Sequence, residues 1–169
     1  MATRKKRQRP TQAGKNRSNL KPYDFDEIDR QLVAMLQEDG RRTYAEMAKA
    51  VGLSEPAARQ RVNRMREAGA LQIVAVTDPL RMGFRRMGMI GIRTQGDLEK
   101  IADQLGELGA VEYIIFATGT YDLLVEVVSK DEEELVEILR TIREIPGVTS
   151  TETFVYLRIH KQTFAWGAR

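Results

Sequence analysis

The sequence of 169 residues contains no cysteine and a single histidine, His160. The lack of cysteine excludes disulfide frameworks and thiolate nucleophiles, and one histidine cannot complete a Cys/His zinc cluster. Ser/His catalysis is almost excluded as well, so we expect no metal and no cofactor. His160 lies near a polar C-terminus, where an exposed or structural role is expected. The remaining chemistry is that of carboxylates, hydroxyls, backbone groups and cations.

Long hydrophobic runs are also missing. No segment approaches the ~18 apolar residues of a membrane-spanning helix. The basic start, Arg4 to Arg7, is followed by polar residues and not by the apolar core of a signal peptide. We therefore expect a cytoplasmic protein without a membrane partner. With 42% hydrophobic and 30% charged residues, the chain can form one or two compact domains of under ~100 residues each.

The net charge of +3 hides an uneven distribution. Residues 1–21 carry eight lysines and arginines and no acid, whereas residues 22–80 have a net charge of −2 and residues 81–169 of −3. A stretch so charged and so poor in large apolar side chains cannot offset the entropy lost on ordering, so residues 1–22 are predicted to be a disordered basic tail. Such a tail suits the phosphate backbone of double-stranded DNA; the alternative is a solubilising extension.

Two short helices are predicted after the tail. The first has an apolar stripe at helical spacing, with Asp24 or Asp26 as its N-cap and acids at its start that suit the positive end of the helix dipole. The stripe comprises Ile28, Leu32, Met35 and Leu36, and the acids are Asp26, Glu27 and Asp29. The second helix starts at a capping box of Thr43 and Glu46 and is closed by Gly52.

A third helix is predicted to begin at the N-cap Ser54 and to run to Gly69. Its short connection to the second helix is the signature of a helix-turn-helix. Ala58, Val62 and Met65 share the core-facing side, and the opposite side presents side chains that can read base edges in a major groove. The candidate DNA-binding residues are Thr43, Ser54, Pro56, Arg59, Gln60, Asn63 and Arg64. Arg61 and Arg66 lie nearer the core edge, where pairing with an acid or a phosphate is expected.

The rest of the chain reads as a linking strand over residues 71–77 followed by the order β-α-β-β-α-β. The strands are predicted over residues 86–93, 111–117, 121–128 and 148–159, and the two helices over apolar stripes between them. This order is typical of a ferredoxin-like antiparallel sheet with both helices on one face. Because a small domain cannot leave the other face wet, we expect a second copy to cover it, which makes the protein a homo-oligomer.

At this point the chain resembles the Lrp/AsnC (feast/famine) transcription regulators over nearly its whole length beyond the tail. The matching segments are residues 28–32 (IDRQL), 36–41 (LQEDGR), 51–54 (VGLS), 61–65 (RVNRM), 118–122 (TGTYD) and 145–148 (IPGV). The resemblance implies sequence-specific DNA binding by dimers, assembly into rings, and control by an amino acid or a related small molecule. The long basic tail and the sequence Gly69-Ala70-Leu71 depart from the common pattern.

The effector site implied by the resemblance lies in the loop with Gly119. A glycine turn can point backbone N–H groups at a carboxylate, and a carboxylate side chain can pair with an ammonium, so the loop could bind both charges of a free amino acid. The candidate effector-binding residues are Gly119, Tyr121, Asp122, Thr151 and Thr153, the threonines being carried over from the family. The alternative for Gly119 and Asp122 is a plain hairpin turn.

The predicted fold class is α+β, with a winged-type helix-turn-helix domain followed by a ferredoxin-like effector domain. We expect the basic tail over residues 1–22, the helix-turn-helix over 23–70, a linking strand or hinge over 71–82, and the effector-binding and oligomerisation domain over 83–169. Phe164 and Trp166 are expected to dock on a neighbouring subunit or on the sheet, with a role in the ligand pocket as the alternative. Two other functions stay open: an architectural DNA-binding protein without effector control, and an enzyme similar to haem-pathway decarboxylases, which the single histidine disfavours.

Overall fold

The computed structural model describes residues 22–163. Within them the chain forms two compact units, one of residues 22–76 with residues 160–163 and the other of residues 77–159. None of the helices in these described residues has both the length and the apolar character that crossing a membrane requires. Residues 1–21 of the predicted basic tail, together with Phe164 and Trp166, lie outside the described residues.

The first unit contains three helices: α1 (Glu27–Glu38), α2 (Tyr44–Val51) and α3 (Glu55–Glu67). The side chain of Asp26, rather than that of Asp24, caps α1 by accepting from the N–H of Asp29. The capping box of Thr43 and Glu46 and the cap at Ser54 form as predicted. Helix α3 ends at Glu67, two residues short of the predicted end. The core of this unit includes the fully buried side chains of Leu32, Met47, Ala58, Val62 and Met65.

The prediction of a linking strand over residues 71–77 is wrong for the described chain. This segment has no regular secondary structure. Leu71 is partly buried against the helical core, but the later apolar side chains are exposed, with Val74 68% and Val76 59% accessible. A β-branched composition favours a strand, but a strand forms only where a neighbouring strand satisfies its N–H and C=O groups. Residues 22–85 contain no strand, so the expected wing is not formed there either, and a short 3₁₀ helix, Leu80–Met82, leads into the second unit.

The second unit has the predicted β-α-β-β-α-β order. Its elements are β1 (Arg86–Thr94), α4 (Leu98–Gly106), β2 (Val111–Phe116), β3 (Leu123–Ser129), α5 (Glu132–Arg143) and β4 (Val148–Val155). The strands form one antiparallel sheet in the order β2-β3-β1-β4. The last strand stops at Val155, four residues before its predicted end.

The strand register assigns each side chain to one of two faces. Ile90 of β1 lies opposite Val125 and Thr153, and Ile90 and Val125 pack in one apolar core with α4 and α5. Directly opposed residues share a face, so alternate residues line the other side, which we call the open face. The open face carries Met89, Gly91 and Arg93 of β1, Tyr113 of β2, Glu126 of β3, and Glu152 and Phe154 of β4. Tyr113 is 51% and Phe154 45% exposed there.

Candidate DNA-binding and effector sites

The starts of α2 and α3 carry the first two DNA-binding candidates. The hydroxyl of Thr43 accepts from the N–H of Glu46 at 3.3 Å and lies 2.7 Å from its carboxylate. The hydroxyl of Ser54 accepts from the N–H of Ala57 at 3.4 Å. Both caps are exposed, so each presents a helix N-terminus whose N–H groups and dipole suit a phosphate.

The outward side of α3 carries four further candidates, Pro56, Arg59, Gln60 and Asn63, opposite its buried apolar side. The guanidinium of Arg59 lies 4.9 Å from the ring centre of Tyr44 and 2.7 Å from the carboxylate of Glu55. The Asn63 side-chain oxygen accepts from Arg66 at 3.4 Å, and Gln60 is exposed. This side therefore combines an oriented arginine with two amides, the groups that make paired hydrogen bonds to guanine and adenine.

A buried carboxylate holds the other side of α3 to α1. The side chain of Asp29 is only 1% exposed and accepts from Arg61 at 2.9 Å and from Arg64 at 3.3 Å. Arg61 also pairs with Asp26 at 2.5 Å. The predicted pairing of Arg61 with an acid is thus confirmed. Arg64, predicted to flank the DNA-reading side, is bound by Asp29 and by the hydroxyl of Tyr23, which accepts from its Nε at 2.9 Å.

These contacts shift the pKa values of Asp26, Arg61 and Arg64 in favour of their charged forms. The hydrogen bond from the backbone of Asp29, followed by that from Arg61, holds the pKa of Asp26 below its ordinary value. Hydrogen bonds to Asp26 and Asp29 raise the pKa of Arg61, and the Tyr23 hydroxyl does the same for Arg64. Sequence reasoning assigned Asp29 to the helix dipole and missed this network. The spacing of three residues between Arg61 and Arg64, which places both on one side of α3, could have indicated a shared anion.

Gly119 lies in the loop between β2 and β3. Its φ of +118° is a conformation that favours glycine, and a side chain added there would meet nothing within 4 Å. The loop is closed by the N–H of Ala117, which donates to the carbonyl of Asp122 at 2.9 Å. The glycine is therefore required by the backbone turn, and the space beside it is open.

The carboxylate of Asp122 has a structural partner. Its Oδ2 accepts from the N–H of Thr94 at 2.7 Å and lies 3.2 Å from the Thr94 hydroxyl. The N–H of Asp122 donates to the carbonyl of Ile92 at 2.9 Å. Asp122 thus ties the loop to β1, and a ligand ammonium would share this carboxylate with Thr94.

Tyr121 lies on the open face. A Cβ built on Gly91 would come within 2.7 Å of the Tyr121 ring, so the ring lies directly against the backbone of β1. Phe154 meets the same ring edge-on at 6.3 Å between centres, and the guanidinium of Arg93 lies 6.0 Å from it. The structure therefore adds Gly91 to the site, as the residue whose missing side chain makes room for the aromatic wall.

The two threonine candidates lie on the opposite face. Thr153 is paired with Ile90 and Thr151 with Ile92, both of which point toward the helices. The Thr151 hydroxyl accepts from Arg143 of α5 at 2.9 Å. One chain brings together Gly119, Tyr121 and Asp122 but places the threonines behind the sheet.

Other chemistry is sparse in the part of the chain that the structure describes. Residues 22–163 contain no group of three or more histidines, cysteines or acids placed to hold a metal ion. The acids Glu132, Glu133 and Glu134 form the first turn of α5, as predicted, and Glu132 is paired with Arg86. His160 is exposed.

Comparison with known proteins identifies both units. Residues 25–66 match the model of the AsnC-type helix-turn-helix domain, and residues 88–166 match the Lrp/AsnC ligand binding domain. The HTH-type transcriptional regulator FL11 of Pyrococcus horikoshii is 33% identical over 141 residues, covering 82% of this chain and 93% of its own. The regulatory protein AsnC of Haemophilus influenzae is 30% identical over 140 residues, covering 80% of this chain and 93% of its own.

Solved structures agree with this fold. AsnC of Escherichia coli superposes with a TM-score of 0.78 at 27% identity, over 85% of this chain and 99% of that one. A transcriptional regulator of Neisseria meningitidis, solved as a complex with L-Met, has a TM-score of 0.77 at 23% identity, over 85% of this chain and 97% of that one. The chain belongs to the Lrp/AsnC family of transcriptional regulators and carries an AsnC-type helix-turn-helix followed by an Lrp/AsnC ligand-binding domain.

Proposed function

We propose that this regulator reads a specific double-stranded DNA sequence through the outward side of α3. The observation that carries the proposal is the arrangement of Arg59, Gln60 and Asn63 opposite a fully buried apolar side, in a helix that starts directly after the turn at Gly52. Such a helix fits the major groove with its N-terminal half toward the bases. Thr43, Ser54 and Pro56 lie where helix starts contact phosphates, and the role is regulatory rather than catalytic.

The effector in this proposal is an amino acid or a close analogue. The Neisseria relative with L-Met supports this class of ligand for the shared fold. In this chain, the open space beside Gly119 leaves room for a carboxylate, and Asp122 offers the anion for an ammonium. Tyr121 forms an aromatic wall beside them.

The proposed site spans more than one copy of the chain. Thr151 and Thr153 lie on the opposite face from Tyr121, so they could join the effector site only from a neighbouring subunit. The half-exposed side chains of Tyr113 and Phe154 on the open face are the kind of apolar surface that a second copy buries. Both features support a homo-oligomer, at least a dimer.

The test is a binding titration with the full-length protein. A duplex is first selected from a random library, and its affinity is then compared with that of a scrambled duplex, with and without each of the twenty amino acids. The proposal expects a preference for the selected duplex that at least one amino acid changes. Equal affinity for both duplexes refutes sequence-specific reading. A preference that none of the amino acids alters leaves an architectural DNA-binding protein instead.

A further inference from the structure

Arg59 differs from the other arginines of α3 in what holds it. Arg61 and Arg64 bind the buried carboxylate of Asp29, on the side of α3 that faces α1. Arg59 lies on the outward side, its side chain is 54% exposed, and its guanidinium contacts residues at the starts of α2 and α3. These two contacts determine how the guanidinium is presented to a ligand.

The first contact is with the ring of Tyr44. Tyr44 is the first residue of α2 and is half-buried against the core of the three-helix unit. The guanidinium carbon of Arg59 lies over this ring, 4.9 Å from its centre. A cation within about 6 Å of an aromatic ring is attracted to the ring face. Because the core holds the ring, Tyr44 restricts where the guanidinium can lie.

The second contact is with the carboxylate of Glu55. Its Oε1 accepts from Nη2 of Arg59 at 2.7 Å, and the two residues are four apart, so they lie one turn apart on the same side of α3. This hydrogen bond uses a single N–H group of a guanidinium that carries several. The remaining N–H groups are still able to make a paired hydrogen bond with a base.

A carboxylate on this side of α3 needs a donor when the helix lies against DNA, because phosphates repel it. The major-groove edge of a G·C pair presents the acceptors N7 and O6 of guanine and, next to them, the amino group N4 of cytosine. Arginine pairs with the two acceptors, and glutamate accepts from the amino group. Adjacent donors on Arg59 and an adjacent acceptor on Glu55 therefore match the edge of one G·C pair.

We propose that Tyr44, Glu55 and Arg59 form one reading unit for a G·C base pair. Arg59 binds the guanine, Glu55 accepts from N4 of the cytosine paired with it, and Tyr44 is a positioning residue that holds the guanidinium. The inference rests on the proposed reading role of α3 and adds to it the base pair and two residues that the sequence did not indicate. A side chain that is held before binding loses less conformational freedom on binding.

The first experiment changes the DNA and keeps the full-length wild-type protein. The selected duplex is made with 7-deazaguanine, which lacks N7, at one guanine at a time, and with N4-methylcytosine, whose methyl group replaces the amino hydrogen that faces the groove, at one cytosine at a time. At one G·C pair, each change should weaken binding about 5-fold or more. Inosine in place of that guanine keeps O6 and N7, so binding should stay within about 2-fold.

The second experiment pairs these duplexes with variants of the reading unit. Glu55→Ala should no longer respond to N4-methylcytosine and should still respond to 7-deazaguanine. Arg59→Lys keeps the charge but not the planar pair of donors, so its response to 7-deazaguanine should fall at the same G·C pair. Glu67→Ala is the matched control, since it removes an acid from the other end of α3, and it should respond to both base changes as wild type does.

A third pair of variants tests the positioning role of Tyr44. Tyr44→Leu removes the ring and keeps an apolar side chain for the core, and it should weaken binding to the selected duplex by about 2- to 10-fold, with little change on scrambled DNA. Tyr44→Phe keeps the ring face and should bind as wild type does. An equal loss on both duplexes, or a loss in Tyr44→Phe as large as in Tyr44→Leu, would contradict a positioning role.

The remaining outcomes are also distinguishable. A selected duplex without a G·C pair that responds to both base changes overturns the inference, and so does a Glu55→Ala variant that still responds to N4-methylcytosine. Both outcomes leave the preference for the selected duplex, and with it the reading role of α3, intact. If wild type does not distinguish the selected duplex from the scrambled one, the proposed function itself fails.

Discussion

In the three-helix unit, ion pairs hold the proposed DNA-reading helix α3 in place: a buried carboxylate, Asp29, and an exposed one, Asp26, bind its arginines to α1. In the sheet unit, backbone hydrogen bonds and close packing fix the functional loop, with Asp122 bound to the N–H of Thr94 and Tyr121 lying on Gly91. The core beneath that loop is apolar. The first unit should therefore be sensitive to the loss of one charge, and the second to the addition of one methyl group.

The largest effect is expected from Asp29→Ala. It leaves Arg61, whose side chain is 27% exposed, without its buried partner and removes one of the two carboxylates that tie α3 to α1. Breaking a buried pair costs about 3–5 kcal/mol, and we expect about 2–4 kcal/mol here because both arginines keep some contact with water. Urea unfolding monitored on the three-helix unit measures it.

The control for this change is Glu55→Ala, which removes an exposed helix-surface pair with Arg59 and should cost under ~1 kcal/mol. If the two variants lose the same free energy of unfolding, the buried ion pairs of Asp29 do not stabilise the position of α3 more than an exposed pair does.

Next in size is the effect of Gly91→Ala. The new methyl group would lie 2.7 Å from the Tyr121 ring, so the ring must move, at a cost of about 1–3 kcal/mol. Effector response should fall, while DNA binding without effector stays near wild type. The matched control is Gly83→Ala, outside the candidate site, which meets no atom within 4 Å and carries only the strain of a φ of +94°, about 1 kcal/mol. Wild-type effector response in Gly91→Ala would exclude Tyr121 from the site.

Local sequence signals predicted the helices well. A helix cap accepts from the N–H three residues later in the sequence, and Asp26, Thr43 and Ser54 all make this hydrogen bond. Contacts between distant segments were beyond such signals. The strand expected over residues 71–77 has the right composition, but no strand of the described chain pairs with it. Asp29 was assigned to a helix start because its partners lie more than 30 residues away.

The candidate effector residues show the same limit. The alternation of residues along one strand shows which of them share a face of that strand. It does not show which residues of a second strand lie on the same side of the sheet. Only the pairing of Thr153 with Ile90 shows that the threonines lie behind the sheet that carries Tyr121. The loop around Gly119, which is local, was predicted as a turn and is one.

Arg59→Ala tests the reading side of α3 directly. Loss of a paired hydrogen bond to a base should weaken binding to the selected duplex by ~1–3 kcal/mol and leave binding to scrambled DNA nearly unchanged. Asn63→Ala should behave alike. An equal loss on both duplexes, measured by fluorescence anisotropy, would assign these side chains to phosphates instead.

Asp122→Ala tests whether the loop carboxylate serves the ligand as well as Thr94. If it does, the variant weakens effector binding by roughly 1–3 kcal/mol in calorimetry while dimers still form and bind DNA. Thr94→Val is the control, since it removes the hydroxyl contact with Asp122 and keeps both the carboxylate and the backbone hydrogen bond. Asp122→Ala with wild-type effector affinity would make this carboxylate purely structural.

The smallest effect concerns the one phenol whose pKa the sheet unit shifts strongly. Burial, followed by the hydrogen bond that Tyr156 donates to Glu126 at 3.0 Å, raises the pKa of Tyr156 to about 12 from an ordinary value of 10.0. Because the folded state favours the protonated phenol, its contribution to stability is complete below pH 10 and is lost as the pH rises toward 12. Tyr156→Phe should flatten this part of the stability curve, and subtracting the two curves removes the titration of the other tyrosines. Curves that stay parallel from pH 10 to 12 would show that neither burial nor the contact with Glu126 favours the protonated phenol in the folded state.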